Sequence, residues 1–144
     1  PSAGCDRTVL AVICEAFEEE TITDDKGNED IRTVMHFDPK IAPVKAAILP
    51  LLKNKPALVE KAKQIHKTLQ PFMTVAYDEG GAIGKRYRKQ DEIGTPYCIT
   101  VDFETLGEEA PDLQDTVTVR ERDSMDQTRM PISELLQFLA DKIH

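Results

Sequence analysis

The segment Gly84-Lys85-Arg86-Tyr87-Arg88-Lys89-Gln90-Asp91-Glu92-Ile93-Gly94 gathers four cations around one tyrosine, in a chain whose net charge is -8. Guanidinium and ammonium groups pair with phosphates, an aromatic ring stacks on an unpaired base, and carboxylates accept hydrogen bonds from exocyclic amines. That mixture suits the reading of unstacked bases in a single-stranded RNA loop. Lys85, Arg86, Arg88 and Lys89 are the expected donors, and Asp91 and Glu92 the expected acceptors. A second basic element is Val117-Thr118-Val119-Arg120-Glu121-Arg122-Asp123. On a strand, i, i+2 spacing puts Arg120 and Arg122 on one face. They either extend the same surface with bidentate donors or form ion pairs with Asp115 or Asp123. The plainest alternative for the cationic helix is a solvated outer face.

Other chemistries find less support. Gly80-Gly81-Ala82-Ile83-Gly84-Lys85-Arg86 resembles a phosphate loop, yet its glycines are too closely spaced for G-x-x-x-x-G-K-[ST], and Arg86 replaces the magnesium-binding hydroxyl. Asp91 and Glu92, adjacent in sequence, point apart on a helix and do not make a cooperating carboxylate pair. Cys5, Cys14 and Cys98 show no C-x-x-C spacing, and His36, His66 and His144 are scattered. Neither a disulfide framework nor a metal site is expected, and the cysteine usage suits a reducing cytoplasm.

The charge is unevenly spread. Residues 1–30 hold nine acids against Arg7 and Lys26, so they account for -7 of the -8 and the cations of the remainder are clustered. A nucleic-acid partner is therefore compatible with the acidic total. With 144 residues, 40% of them hydrophobic, the chain can fill one core. No run reaches the ~18 to 20 apolar residues of a membrane span. Pro1-Ser2-Ala3-Gly4 has neither methionine nor a signal-peptide pattern, which reads as a boundary inside a longer chain or an excision point.

The elements that must position these residues follow from periodicity. Thr8 to Glu20 predicts a helix striped by Val9, Leu10, Ile13, Ala16 and Phe17, although Glu18, Glu19 and Glu20 oppose its dipole. A turn at Asp24 to Asn28 precedes a strand from Ile31 to Phe37, and Asp38-Pro39 with Ala42-Pro43 marks a linker. Strands are expected at Val44 to Leu52, Met73 to Tyr77, Tyr97 to Phe103, Thr116 to Arg122 and, as an edge, Arg129 to Ile132 beside Pro131. Helices are expected from Pro56 to about Gln70, from Ile83 to Ile93, and after an N-cap at Ser133. Leu106 to Gln114 reads as an exposed acidic connector. The pattern β-α-β-α-β-β-β-α implies an α/β domain, a mixed sheet covered by helices.

Several blocks in a fixed order then resemble one family, the homodimeric class II glycyl-tRNA synthetases. Pro1-Ser2-Ala3-Gly4-Cys5-Asp6-Arg7 is similar to its motif 3, and Ile41-Ala42-Pro43-Val44 to Pro50-Leu51 to the start of its anticodon-binding domain. Gly84-Lys85-Arg86-Tyr87 through Gly94 resembles its signature helix, and Val119 to Gln127 its late strand and turn. The resemblance implies that residues 1–38 are the C-terminal end of a catalytic domain and 39–144 a mixed five-stranded sheet with three helices. It implies that Arg7 contacts ATP, that Ser2 lies by the glycine pocket, and that ATP and Mg2+ serve the parent enzyme while the fragment is catalytically incomplete. The implied partner is the anticodon loop of the tRNA that carries glycine, read mainly at its second and third anticodon bases, with no DNA or membrane partner and a homodimeric parent. The competing expectation is a synthetase-like paralogue that uses the same fold for protein contacts.

Overall fold

A computed structural model describes residues 2–144; Pro1, part of the motif 3 resemblance, lies outside the described residues. Helix α1 (Cys5–Ala16) runs straight into strand β1 (Phe17–Thr23), which pairs antiparallel with β2 (Glu29–Met35). The expected helix thus stops four residues early. Three glutamates at a helix C-terminus face its negative end, while Thr21, Ile22 and Thr23 are mostly β-branched, so a strand is the better use of the segment. In the strand Glu20 gains a cross-strand partner, Arg32. The Asp24 carboxylate closes the hairpin by accepting the amides of Lys26 at 2.9 Å and Asn28 at 2.8 Å.

The second sheet has the order β4-β3-β5-β6-β7. Its strands are β3 (Ala46–Pro50), β4 (Val75–Tyr77), β5 (Tyr97–Val101), β6 (Thr116–Glu121) and β7 (Gln127–Pro131), with helices α2 (Pro56–Leu69), α3 (Ile83–Ile93) and α4 (Ile132–Ile143). β3 is parallel to β4 and β5, whereas β6 is antiparallel to both its neighbours, β5 and β7. The chain steps from β3 to β4 in one direction and back across β3 to reach β5. Crossovers of one hand then place α2 and α3 on opposite faces. That is where they lie: Leu58, Ala62, Ile65 and Leu69 of α2 join Ile48, Ile99 and Val117 in the main core, while Ile83 and Tyr87 of α3 pack on Ala47, Leu49 and Cys98 behind it.

Helix α4 sits with α2, through Leu135, Leu139 and Ile143. It starts at Ile132 behind Pro131, with no side-chain cap, so Ser133 lies within the first turn instead of capping it. β7 is an edge strand, as Pro131 requires. The expected acidic connector contains two short 3-10 turns, Glu104–Leu106 and Pro111–Leu113. The arrangement leaves two helices on one face and one on the other. Because α3 lies over β3 and β5 and reaches β6 only at Arg120, the other polar residues of β6 and β7 on its side have no helix above them.

Candidate nucleic-acid interface

Helix α3 is amphipathic in an unusual way, since its buried face is largely polar. Arg86, Gln90 and Asp91 point inward with Ile83 and Tyr87, while Lys85, Lys89 and Glu92 point out and Arg88 is half-buried. The Nη1 of Arg86 donates to the carbonyls of Pro50 (2.6 Å) and Asp78 (3.0 Å), and Nη2 to that of Leu51 (3.1 Å). One guanidinium thereby ties α3 to the chain leaving β3 and β4; its buried Nε has no hydrogen-bond partner among the described residues. Gln90 accepts the Thr95 hydroxyl at 2.7 Å. Gly94 ends the helix at φ +88°, and a Cβ there would come within 2.4 Å of the Phe37 ring. Only glycine satisfies both conditions.

Asp91 is fully buried between two arginines. Arg120 from β6 donates to it in bidentate fashion (Nη1–Oδ1 2.9 Å, Nη2–Oδ2 3.1 Å), and Arg32 from β2 reaches Oδ2 at 3.3 Å. Burial alone disfavours the charged form of Arg120, but hydrogen bonding and attraction to Asp91 outweigh it and hold its pKa above the ordinary arginine value. The Arg120 guanidinium also lies 4.9 Å from the centre of the Tyr87 ring. Arg32 continues the chain of contacts: Nε donates to Glu20 at 3.0 Å, Nη1 donates to the Arg122 carbonyl at 2.7 Å, and Nη2 makes an ion-pair contact with Glu20 at 2.7 Å outside hydrogen-bonding geometry. Arg122 donates to the carbonyls of Gly94 (2.7 Å) and Phe37 (2.6 Å) and pairs with Asp123 at 2.9 Å.

Of the expected RNA contacts, Arg86, Asp91, Arg120 and Arg122 lie buried in this structure, with their side chains hydrogen-bonded within the fold and only the Nε of Arg86 left unpartnered among the described residues. The two basic elements do meet, but by packing α3 against β6, not by forming an open ledge. Side-chain alternation was read correctly; what it does not reveal is that a helix lies over that face. Of the paired alternatives, Asp123 is the partner of Arg122, and Asp115 pairs with Lys61 instead. The cations that remain at the surface are Lys85, Arg88 and Lys89. Arg88 pairs with Asp30 at 2.8 Å and Lys89 with Asp78 at 3.2 Å, both solvent-facing contacts of small energetic weight. Glu92 is exposed beside them, and Ser2 and Arg7 are exposed at and just before the start of α1.

Beside α3 the uncovered part of the sheet presents Thr116, Thr118, Gln127 and Arg129, with Asp102 just after β5 and Thr100 buried beneath Tyr87. The β6–β7 register sets Thr118 opposite Arg129 and Arg120 opposite Gln127. Arg129 donates to Asp102 at 2.5 Å and to the Thr116 hydroxyl at 2.9 Å, and pairs with Glu104 at 2.6 Å. Between this sheet surface and α3 runs a groove of about 250 Å³. The sequence reading missed these residues. The signal was present in the Thr116-Val117-Thr118-Val119 alternation, whose threonines face away from the core. A larger hollow, about 480 Å³ along the outer side of α2 from Pro56 to Lys67, is a furrow on a single helix without converging polar groups.

Two further titratable groups are tied into the fold. Burial pushes the Cys98 thiol up to about 12, so it is neutral and packs as a small apolar group. His36 lies between Glu20 (Nε2–Oε1 2.6 Å) and Asp123 (Nδ1–Oδ1 2.6 Å), with Glu18 at 3.3 Å. Burial opposes its charged form, but the carboxylates prevail and raise its pKa above 6.5. Glu18, Glu20 and His36 are the described residues whose donor atoms are close enough to hold a cation; ion pairing already accounts for them.

The chain belongs to the anticodon binding domain family, whose family model matches residues 45–142. Over nearly its whole length it is also similar to glycine-tRNA ligases. It is 54% identical over 143 residues to that of Staphylococcus haemolyticus, 52% to that of Clostridium kluyveri, and 51% over 142 residues to that of Staphylococcus aureus. In each case 99% of the chain is covered but only 28% of the relative, so the chain spans little more than a quarter of the length of these ligases.

Proposed function

We propose that this chain is the C-terminal part of an ATP-dependent glycine-tRNA ligase and that it grips the anticodon loop of the tRNA carrying glycine. The observation that carries this reading is the family match over residues 45–142, together with the surface cations Lys85, Arg88 and Lys89 on α3 and the polar face left open on β6 and β7. Phosphates lie along the outer side of α3, and unstacked bases turn toward Thr100, Thr118, Gln127 and Arg129. Arg86, Asp91, Arg120 and Arg122 hold that surface in shape, and Glu92 sits at its rim.

In this reading residues 1–38 are the tail of the catalytic domain and 39–144 the anticodon-binding unit. Its support is the apolar stripe Val9, Leu10 and Ile13, which stands exposed on α1 as a surface fitted to pack on further protein. Arg7 and Ser2 then belong to an ATP and glycine site completed elsewhere in the parent, where ATP with Mg2+ activates glycine. The parent is a cytoplasmic homodimer. No described helix is long and apolar enough to cross a membrane.

The test is binding of the chain to the tRNA that carries glycine, measured by fluorescence anisotropy across a salt series. Affinity is expected to fall steeply with salt and to drop when the second or third anticodon base is changed, while the chain alone forms no glycyl-adenylate. Affinity indifferent to those bases would replace this reading with a protein-contact role for the same fold.

A further inference from the structure

We infer that strand β2 restrains the RNA-facing charge of α3 through a contact in which Asp30 competes with phosphate for Arg88, and that RNA held on α3 therefore loosens the β1–β2 hairpin. The inference rests on the anticodon-loop reading and adds to it how that surface is regulated.

Two ties join β2 to α3, and their polarity is reversed. Asp30 and Arg32, two apart on a strand, point to one side, while Arg88 and Asp91, three apart on a helix, share a face. The helix cation meets the strand anion and the strand cation meets the helix anion: Arg88 Nη2 donates to Asp30 Oδ2 at 2.8 Å, and Arg32 Nη1 to Asp91 Oδ2 at 3.3 Å. Arg88 Nη1 also donates to the Ile31 carbonyl at 3.2 Å. The surroundings of the two ties differ. Arg32 and Asp91 have no exposed side-chain surface, whereas the side chains of Arg88 and Asp30 are 34% and 70% exposed. Parting the dry pair strands a buried charge, while the solvated pair opens with little loss. The inner tie thus keeps the hairpin on α3, and the outer tie is free to open.

A phosphate supplies the reason to open it. It offers a guanidinium the same bidentate geometry as a carboxylate, so Arg88 can exchange one for the other. A phosphate beside Asp30 sets two anions on one cation, and each weakens the hold of the other. By linkage the restraint is reciprocal: the factor by which Asp30 lowers RNA affinity is the factor by which RNA lowers the hold of Asp30 on α3. The hairpin lies within residues 1–38, so occupation of α3 is felt in the segment assigned above to the catalytic domain.

The experiment titrates the tRNA that carries glycine, by fluorescence anisotropy at one salt concentration, with the parent chain, Asp30→Asn and Glu29→Gln, each also in an Arg88→Ala background. Asp30→Asn is expected to raise affinity about threefold, the scale of an exposed ion pair. Glu29 is an exposed neighbour that points to the other side of β2, so Glu29→Gln removes an equal charge and should raise affinity less. In the Arg88→Ala background the two substitutions should have the same small effect. Hydrogen exchange gives the second readout: saturating tRNA should speed exchange of the backbone amides from Thr23 to Ile31 in the parent chain but not in Asp30→Asn. If tRNA binds but Asp30→Asn matches Glu29→Gln, or its gain survives the loss of Arg88, or hairpin exchange does not respond, the restraint is overturned and the anticodon reading stands. If no tRNA binds, both are overturned.

Discussion

The arginines of this chain divide into two populations that sequence alone does not separate. Arg32, Arg86, Arg120 and Arg122 are each 6% exposed or less and donate to carbonyls and to Asp91, Glu20 and Asp123. Lys85, Arg88 and Lys89 lie within a few residues of Arg86 and reach the surface, Arg88 pairing with Asp30 at 2.8 Å and Lys89 with Asp78 at 3.2 Å. The first group acts as structural donors that fasten the β1–β2 hairpin, α3 and the end of β6 to one another. The second supplies mobile charge for a partner. Buried positions use the planar guanidinium because its five donors can satisfy several carbonyls at once, whereas a lysine ammonium is a compact, strongly hydrated charge better left in water.

The largest effects should come from the interior set. Replacing Asp91 by Ala leaves the buried Arg120 without its counter-charge and Arg32 with Glu20 alone, and removing one partner of a buried pair costs about 3 to 5 kcal/mol. Urea unfolding should show that loss, and a change below ~1 kcal/mol would mean that water reaches the cluster. Gly94→Ala comes next. A side chain at φ +88° is disfavoured by ~1 to 2 kcal/mol, and the 2.4 Å approach to Phe37 adds an overpacking cost of similar size. Together about 2 to 4 kcal/mol is expected in the same assay, with the hairpin loosened first because Phe37 lies just after β2.

These interior positions also show where the sequence stopped being legible. The helix Ile83–Ile93 was readable to the residue, and the strands of the second sheet within a few residues, because turns and apolar periodicity are local signals. The end of α1 was not, since Glu20 becomes a strand residue through Arg32, a partner twelve positions away in the chain. Arg86 and Arg120 looked like ligand donors because a buried arginine and an exposed one have the same letter, and burial is decided by packing that arrives from distant segments. The open sheet face was legible only in hindsight of the helix count: five strands and three helices leave one face half covered.

Outward cations should behave in the opposite manner. A Lys85→Ala, Lys89→Ala double variant removes two exposed charges whose contacts are limited to a 3.2 Å pair between Lys89 and Asp78. Its unfolding midpoint should stay within about 0.5 kcal/mol of the parent chain. Affinity for RNA should fall several-fold for every loop sequence alike, with the slope of log affinity against log salt reduced by roughly 1.4 to 2 for the pair of charges. A stability loss comparable to that of Asp91→Ala would erase the distinction between the two populations.

The smallest effect probes the seam between them, where His36 joins the hairpin to the end of β6. Its pKa is raised: burial acts against the imidazolium, but Asp123 and Glu20 outweigh it, so the folded state holds the proton more tightly than the unfolded chain does. The stabilisation is accordingly complete below the unfolded value near 6.5 and fades as pH climbs through the higher folded value. The ring is only partly exposed, but the partner carboxylates of Glu18 and Asp123 face solvent, which keeps the contribution within the ~0 to 1 kcal/mol of exposed ion pairs. Unfolding free energies of the parent chain and His36→Gln, compared from pH 6 to pH 9, should differ most at the acid end and converge at the alkaline end. Convergence in the reverse order would show that His36 is held neutral in the fold, and the hairpin would then be fastened by Arg32 and Arg122 without it.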